Sequence, residues 1–178
     1  MNLFLIHGFR GGPHIPAWYP WLAAEVGKRG MNVYVPQFPD PDAPQESAWL
    51  DVILRLVPAE KFPQTIFVGH SLGGVALLRA LEQAKTKAAG AILVGAPKSP
   101  GGGRPIESFF SKPFDFAAIR SHSTPSICIY SKDDPYVPYE DGLHYAKNLN
   151  ARLISFEQSG HFEKQETFPA VLNLILDL

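Results

Sequence analysis

The chain has 178 residues, of which 46% are hydrophobic, and its 16 basic and 17 acidic residues leave a formal net charge of −1. These values fit one domain, residues 1–178, with a full-sized core. Without a block of like charge we expect no nucleic-acid partner, and the single cysteine excludes an intrachain disulfide. The N-terminal apolar run is too short for a signal peptide and no apolar run reaches membrane-spanning length, so we expect a cytoplasmic protein with no membrane partner.

Apolar runs alternate with helix-like segments along the whole chain. Strands are predicted at residues 3–6, 33–36, 65–68, 91–94, 127–130 and 153–156. Helices are predicted at residues 20–29, 46–56, 75–81, 139–149 and 167–176, with short helical pieces between 106 and 119. The strand runs lack polar alternation, which is typical of a parallel sheet that is buried on both faces. The pattern therefore predicts an α/β protein with a doubly wound sheet and helices on both faces.

The stretch Gly69-His70-Ser71-Leu72-Gly73 joins the third predicted strand to the helix that follows. Its G-x-S-x-G pattern in this strand–turn–helix context is typical of a nucleophile elbow. The serine of an elbow adopts a strained backbone conformation, and side chains at the flanking positions would collide, so both are glycine. The alternative is an ordinary tight turn in which Ser71 caps the helix. The context favours Ser71 as a nucleophile.

A serine hydroxyl needs a base, and the base needs an acid to orient it. In triads built on such an elbow the acid and then the histidine follow the serine along the chain. His161 follows the sixth predicted strand, and two aspartates follow the fifth. Because ligands bind at the carboxyl ends of parallel strands, these groups are expected to meet Ser71 at one sheet edge. The alternative for His161 is a surface loop histidine, and His70 is expected to point away from the site.

The acid is one of two neighbours, Asp133 and Asp134, because only one of them can face His161. The other is expected to cap the turn, since aspartate readily binds nearby backbone N–H groups. An acid followed after two residues by Val-Pro is a common spacing in hydrolases, and Asp134 is followed by Pro135-Tyr136-Val137-Pro138. This spacing favours Asp134, with Asp133 as the alternative.

An oxyanion hole requires two backbone N–H donors. One is expected from Leu72, directly after the nucleophile, and the other from Phe9 in the glycine-rich loop after the first strand. The alternative for this loop is an ordinary turn. Arg10 within the loop is expected either to contact a carboxylate of the substrate or to be a solvated surface residue. Because the sequence has no H-E-x-x-H, Cys/His cluster, G-x-G-x-x-G or P-loop, we expect no metal and no cofactor.

These motifs resemble the α/β-hydrolase superfamily and, more closely, the small serine hydrolases akin to retinoblastoma-binding protein nine. The resemblance spans nearly the whole chain and includes Glu46-Ser47-Ala48-Trp49-Leu50 and Phe109-Phe110-Ser111-Lys112-Pro113-Phe114. It implies a triad of Ser71, Asp134 and His161. It also implies a compact α/β-hydrolase fold with a six-stranded, mainly parallel sheet in the order 2-1-3-4-5-6.

The expected activity is that of a carboxylesterase-like serine hydrolase, which cleaves small carboxylic esters through an acyl-enzyme. The alternatives are a peptidase or amidase with the same triad, and a protein-binding module with a vestigial triad. The region between residues 96 and 124 is too short for a large lid. Its phenylalanines are candidates either for a shallow acyl pocket or for helix packing: Phe109, Phe110, Phe114 and Phe116. The expected partner is a small-molecule ester or amide substrate, and the oligomeric state is left open.

Overall fold

A six-stranded parallel sheet forms the centre of the computed structural model, which describes residues 1–123 and 125–178. The strands are β1 (Asn2–Ile6), β2 (Asn32–Tyr34), β3 (Thr65–His70), β4 (Gly90–Val94), β5 (Ser126–Ser131) and β6 (Arg152–Phe156). Their order is β2-β1-β3-β4-β5-β6, and all five neighbouring pairs are parallel. The predicted fold class and strand order are thereby confirmed.

Helices cover both faces of the sheet. They are α1 (Trp18–Gly27), α2 (Glu46–Leu56), α3 (Leu72–Glu82), α4 (Phe116–His122), α5 (Tyr139–Leu149) and α6 (Pro169–Leu176). Short 3₁₀ helices are formed by Ala59–Gln64 and Glu107–Phe110. Helices α1 and α6 pack on one face, and α2, α3, α4 and α5 pack on the other.

The two faces have separate hydrophobic cores because successive strand residues point to opposite sides. In β1, Phe4 and Ile6 face the layer of α2 to α5, whereas Leu3 and Leu5 face α1 and α6. The strands β1, β3 and β4 are buried along their whole length, while the edge strands β2 and β6 are partly exposed. Burial on both faces explains why the central strands are apolar without alternation.

Helix α3 begins at Leu72, three residues before the predicted start. The prediction was wrong because glycine disfavours helix interiors, and Gly73 and Gly74 occupy the first turn. Tertiary packing overrides that preference. A Cβ on Gly73 would lie 2.6 Å from the His7 carbonyl oxygen, and one on Gly74 would lie 2.7 Å from the Ala96 Cβ. The two glycines therefore allow the start of α3 to pack closely against the chain that leaves β1 and β4.

The chain between β4 and β5 carries only the second 3₁₀ helix and α4 as regular elements among its described residues. Thr124, the last residue of the region considered for a lid, lies outside the described residues. Over residues 1–123 and 125–178, no helix is long and apolar enough to cross a membrane. The cytoplasmic location stays a prediction.

Candidate active site

Ser71 lies on the sharp turn between β3 and α3, with φ 55° and ψ −125°. This left-handed backbone conformation is strained for any residue with a Cβ. The Ser71 N–H donates to the Val94 carbonyl at 2.8 Å, which ties the turn to the end of β4. A Cβ on Gly69 would lie 2.5 Å from the Gly73 carbonyl oxygen. The glycines of the motif are therefore required by the close approach of strand and helix at this turn.

His161 follows β6 and meets a carboxylate that follows β5. Its Nδ1 lies 2.7 Å from Asp134 Oδ2. The other oxygen, Asp134 Oδ1, accepts the backbone N–H groups of Tyr136 at 2.8 Å and Val137 at 3.0 Å. The Asp134 side chain is 1% exposed and that of His161 is 7% exposed. The carboxylate is thus fixed by its own turn and aimed at the imidazole.

The neighbouring Asp133 has a different set of contacts. Its Oδ1 accepts the Ser131 hydroxyl at 2.5 Å and the N–H groups of Ser159 and Gly160 at 2.9 and 2.8 Å. The Ser131 hydroxyl and these N–H groups hold the pKa of the Asp133 carboxyl below its usual range. Asp133 therefore fastens the loop that presents His161, while Asp134 contacts the ring.

Two buried side chains also hold the backbone of the histidine loop. His70 Nε2 lies 2.7 Å from the His161 carbonyl oxygen, and Trp18 Nε1 donates to the Phe162 carbonyl at 2.7 Å. The loop needs such fixation because Gly160 and Phe162 have φ values of 54° and 55°. His70 points away from the cavity, and its contact with the loop was not predicted from the sequence. Its position next to Ser71 was the only available signal.

His70 makes stability depend on pH. Burial, with a contribution from the charge of His161, lowers the pKa of His70 from 6.5 to about 3. Between these values the unfolded chain binds a proton that the folded protein excludes, so stability falls as pH falls below 6.5. At pH 5 the free energy of unfolding should be lower by about 2 kcal/mol for this reason.

We expect H70Q, which keeps a donor for the His161 carbonyl but does not titrate, to lose less melting temperature than the wild type between pH 7.5 and 5. Equal slopes in the variant and the wild type would contradict this.

The loop after β1 is oriented by His7, which is buried. Phe38 N donates to His7 Nε2 at 3.1 Å, so the ring carries its proton on Nδ1 and donates to the Gly8 carbonyl at 2.9 Å. Gly11 N also donates to the Gly8 carbonyl, at 3.0 Å. In a trans peptide the N–H points opposite to the carbonyl, so these bonds fix the direction of the Phe9 N–H.

Ser71 and His161 line the same cavity of about 340 Å³. The cavity is also lined by Phe9, Arg10, Leu72, Pro97, Arg104, Ile106, Tyr136 and Glu163. The structure therefore brings Ser71, Leu72, Phe9 and His161 to one cavity, with Asp134 beside the histidine. Arg10 lines the cavity and forms an exposed ion pair with Asp42, at 3.0 Å.

The phenylalanines considered for an acyl pocket pack elsewhere. Phe109 is fully buried against Trp49, with ring centroids 5.5 Å apart. The ring centroids of Phe116 and His144 lie 5.6 Å apart. Ile106, from the same segment, lines the cavity instead. Over residues 1–123 and 125–178, no group of three or more His, Cys, Asp or Glu side chains could hold a metal ion.

The family model described as "Serine hydrolase" matches residues 3–174 of this chain. The YdeN protein of Bacillus subtilis (strain 168) is 32% identical over 173 residues, which cover 96% of this chain and 90% of that protein. The serine hydrolase RBBP9 of Rattus norvegicus is 30% identical over 152 residues, which cover 84% of this chain and 80% of that protein.

Solved structures agree with these similarities. The crystal structure of the ydeN gene product from B. subtilis has a TM-score of 0.91 and 30% identity, over 99% of this chain and 97% of that one. A structure from Xanthomonas campestris pv. campestris, described as belonging to the alpha/beta superfamily, has a TM-score of 0.74 at 23% identity, over 99% of both chains, and shows the fold alone. The chain belongs to the serine hydrolase family and has the α/β-hydrolase fold.

Proposed function

We propose that this protein hydrolyses small carboxylic esters, with Ser71 as nucleophile, His161 as general base and Asp134 as the acid that orients it. The proposal is carried by the 2.7 Å contact between His161 Nδ1 and Asp134 Oδ2, beside the cavity that Ser71 lines. Because Asp134 Oδ2 accepts a hydrogen bond from the Nδ1–H group, His161 Nε2 is the basic nitrogen that is free to take a proton from Ser71.

In the first step, His161 Nε2 takes the hydroxyl proton as Ser71 Oγ attacks the carbonyl carbon of the ester. The bond between the acyl carbon and the alkoxy oxygen then breaks, His161 gives the proton to the departing alkoxy oxygen, and the acyl group remains on Ser71. In the second step His161 removes a proton from water as the water attacks the acyl carbon. The acid departs and the proton returns to Ser71.

The tetrahedral intermediates of both steps carry a negative oxygen, which we assign to the N–H groups of Leu72 and Phe9. Leu72 is the first residue of α3, where N–H groups have no partner within the helix. The positive end of the helix dipole favours the same charge. The Phe9 N–H is directed by the two hydrogen bonds to the Gly8 carbonyl. Loss of one such donor typically lowers the rate by about 10²–10³-fold.

The size of the cavity supports short acyl groups. Its volume of about 340 Å³ lies near the lower end of the roughly 300–1,000 Å³ that ligand sites occupy. Its apolar lining includes Phe9, Leu72, Pro97 and Ile106, and its charged lining includes Arg10, Arg104 and Glu163. A small ester with an apolar acyl group fits this volume and lining better than a long lipid chain.

Labelling with a fluorophosphonate probe tests the nucleophile. The reagent is expected to form one adduct, which peptide mass spectrometry places on Ser71, and S71A is expected to remain unlabelled. Denatured protein provides the control, since labelling should require the folded site. A folded wild-type protein without an adduct would contradict the proposal and favour a binding module with a vestigial triad.

A substrate panel tests the class of bond. We expect p-nitrophenyl acetate and butyrate to be turned over with a kcat/KM well above that of aminoacyl p-nitroanilides. Acetyl and butyryl p-nitroanilides carry the same acyl groups as the two esters, so their inclusion isolates the scissile bond. Faster cleavage of the anilides would instead identify a peptidase or amidase that uses the same residues.

A further inference from the structure

Arg79 is a charged residue with a fully buried side chain on α3, the helix that begins directly after Ser71. Its Nη1 lies 2.9 Å from Glu82 Oε2, and its Nε lies 3.5 Å from Glu46 Oε2. Lys112 Nζ approaches Glu82 Oε2 at 3.5 Å, so two cations balance two carboxylates. Burying a charge cluster of this kind is costly in free energy unless hydrogen bonds satisfy its groups.

The guanidinium donates to the backbone of one segment between β4 and α4. Arg79 Nε donates to the Phe109 carbonyl at 3.0 Å, Nη1 to the Pro113 carbonyl at 3.3 Å, and Nη2 to the Lys112 carbonyl. The guanidinium carbon also lies 3.9 Å from the centre of the Phe114 ring. We call residues 106–115 the clasped segment. An apolar side chain would fill the same volume but would leave these carbonyls without their donor.

The charges are arranged to keep the cluster ionised. Burial opposes ionisation of Glu82, but hydrogen bonds from the Asp115 N–H and from Arg79 more than offset it, so the pKa of Glu82 lies below its usual range. The Asp115 N–H contact, at 2.6 Å, fastens the far end of the clasped segment to the same carboxylate. The stretch from Phe109 to Asp115 is therefore held by one pair of ionised side chains on α3, Arg79 and Glu82.

The same cluster joins two motifs that the proposed chemistry does not use. Glu46, at the start of α2, donates its backbone N–H to Ser108 Oγ at 3.1 Å, and its carboxylate faces Arg79. Trp49 packs against Phe109, with ring centroids 5.5 Å apart. The Glu46–Leu50 and Phe109–Phe114 motifs thus meet around one guanidinium.

The clasped segment forms part of the cavity wall. Ile106, which is 2% exposed, lines the cavity beside Arg104. Its N–H donates to the Arg104 carbonyl at 2.9 Å, and its own carbonyl accepts the Phe109 N–H at 3.2 Å. Since the Phe109 carbonyl accepts a hydrogen bond from Arg79, a short chain of hydrogen bonds connects the wall to α3, the helix that begins directly after Ser71.

We propose that Arg79 is a positioning residue that makes the enzyme select short acyl groups, because it holds the clasped segment, and with it Ile106 and Arg104, against the cavity. The inference rests on the ester hydrolysis proposed above. Arg79 itself touches neither the substrate nor the reacting atoms. Loosening its contacts lets the wall move outward and admits longer chains, while the chemistry at Ser71 is preserved.

The test is a chain-length series of p-nitrophenyl esters from acetate to octanoate. R79K keeps the charge but loses the planar fork that reaches three carbonyls. We expect its ratio of kcat/KM for butyrate over octanoate to fall at least about fivefold, through a lower KM for octanoate, with kcat for acetate nearly unchanged. K112Q is the matched control, since Lys112 contacts the same Glu82 but is 53% exposed, and it should leave the ratio unchanged.

F114L removes the aromatic ring that contacts the Arg79 guanidinium and leaves α3 unchanged. It therefore tests the proposal if R79K does not fold. It should lower the ratio in the same direction by about twofold, as expected for loss of one partly exposed cation–π contact. A uniform loss across all chain lengths, or an unchanged ratio in the folded variants, would overturn the proposal.

Hydrogen–deuterium exchange separates this inference from the proposed function. Amides of residues 106–115 should exchange faster in R79K or F114L than in the wild type, with β3 and β4 unaffected. If the wild type turns over no ester, the proposed function and the proposed selection of short acyl groups are both wrong. Faster exchange in the variants would then show only that Arg79 holds the clasped segment in place. If esters are turned over and exchange in the clasped segment is unchanged, the positioning role of Arg79 is wrong and the ester hydrolysis stands.

Discussion

S71A is expected to lower kcat for p-nitrophenyl butyrate by about 10⁵–10⁶-fold, the loss typical when the nucleophile of such a triad is removed. The fold should be retained, because alanine keeps the Cβ that packs beside Gly8 and meets the same backbone strain at φ 55°. The remaining rate reports what the oxyanion donors contribute without a nucleophile. Kinetics with the purified variant, together with its melting temperature, give both readouts.

S47A is the control for this comparison, because Ser47 is exposed on α2 and lies outside the cavity lining. It should retain full activity. If S71A kept more than about 1% of the wild-type kcat in a folded sample, a different group would have to supply the nucleophile.

D134N is expected to lower kcat by about 10⁴-fold while the turn stays folded. The carbonyl oxygen of asparagine can still accept the N–H groups of Tyr136 and Val137, which Asp134 Oδ1 binds now. Its NH₂ group would then face His161 Nδ1 as a donor, which forces the ring proton onto Nε2. The imidazole would be held in the tautomer that cannot take a proton from Ser71. Steady-state kinetics across pH 6–9 measure the loss.

D133N provides the matched control one residue away. Asp133 Oδ1 accepts three hydrogen bonds, and the carbonyl oxygen of asparagine can accept all three. We therefore expect less than about a tenfold loss of kcat and a modest loss of stability, since bonds to a neutral acceptor are weaker. If D133N lost as much activity as D134N, the assignment of the acid to Asp134 would be wrong.

Much of the fold could be predicted because its signals are local. Apolar runs without alternation identified strands that are buried on both faces, and regular strand–helix alternation restricts a parallel sheet to few topologies. The predicted span of residues 139–149 matches α5 at both ends. The predicted starts of two helices were wrong because packing overrides helix propensity there. Helix α1 begins at Trp18 rather than at residue 20, since Trp18 and Tyr19 are buried in the core, and α3 begins at Leu72 rather than at residue 75.

The positions of Ser71 and His161 could be predicted from the sequence because each directly follows an identifiable strand, and parallel strands end at a shared edge of the sheet. The contacts of the two aspartates were not accessible in the same way. Asp133 and Asp134 follow the same strand, and the direction of each carboxylate depends on the turn that Tyr136 and Val137 close and on where the loop after β6 lies.

The sequence by itself determined the fold class and the elbow serine, because periodicity and short motifs act over a few residues, and the strand order followed from the family resemblance. Only the tertiary structure decided that Asp134 faces the imidazole, that His70 holds the His161 loop and that Arg79 clasps the cavity wall. Each of these contacts joins groups from separate elements. Their distances and directions depend on how strands, turns and helices pack together, which no local pattern records.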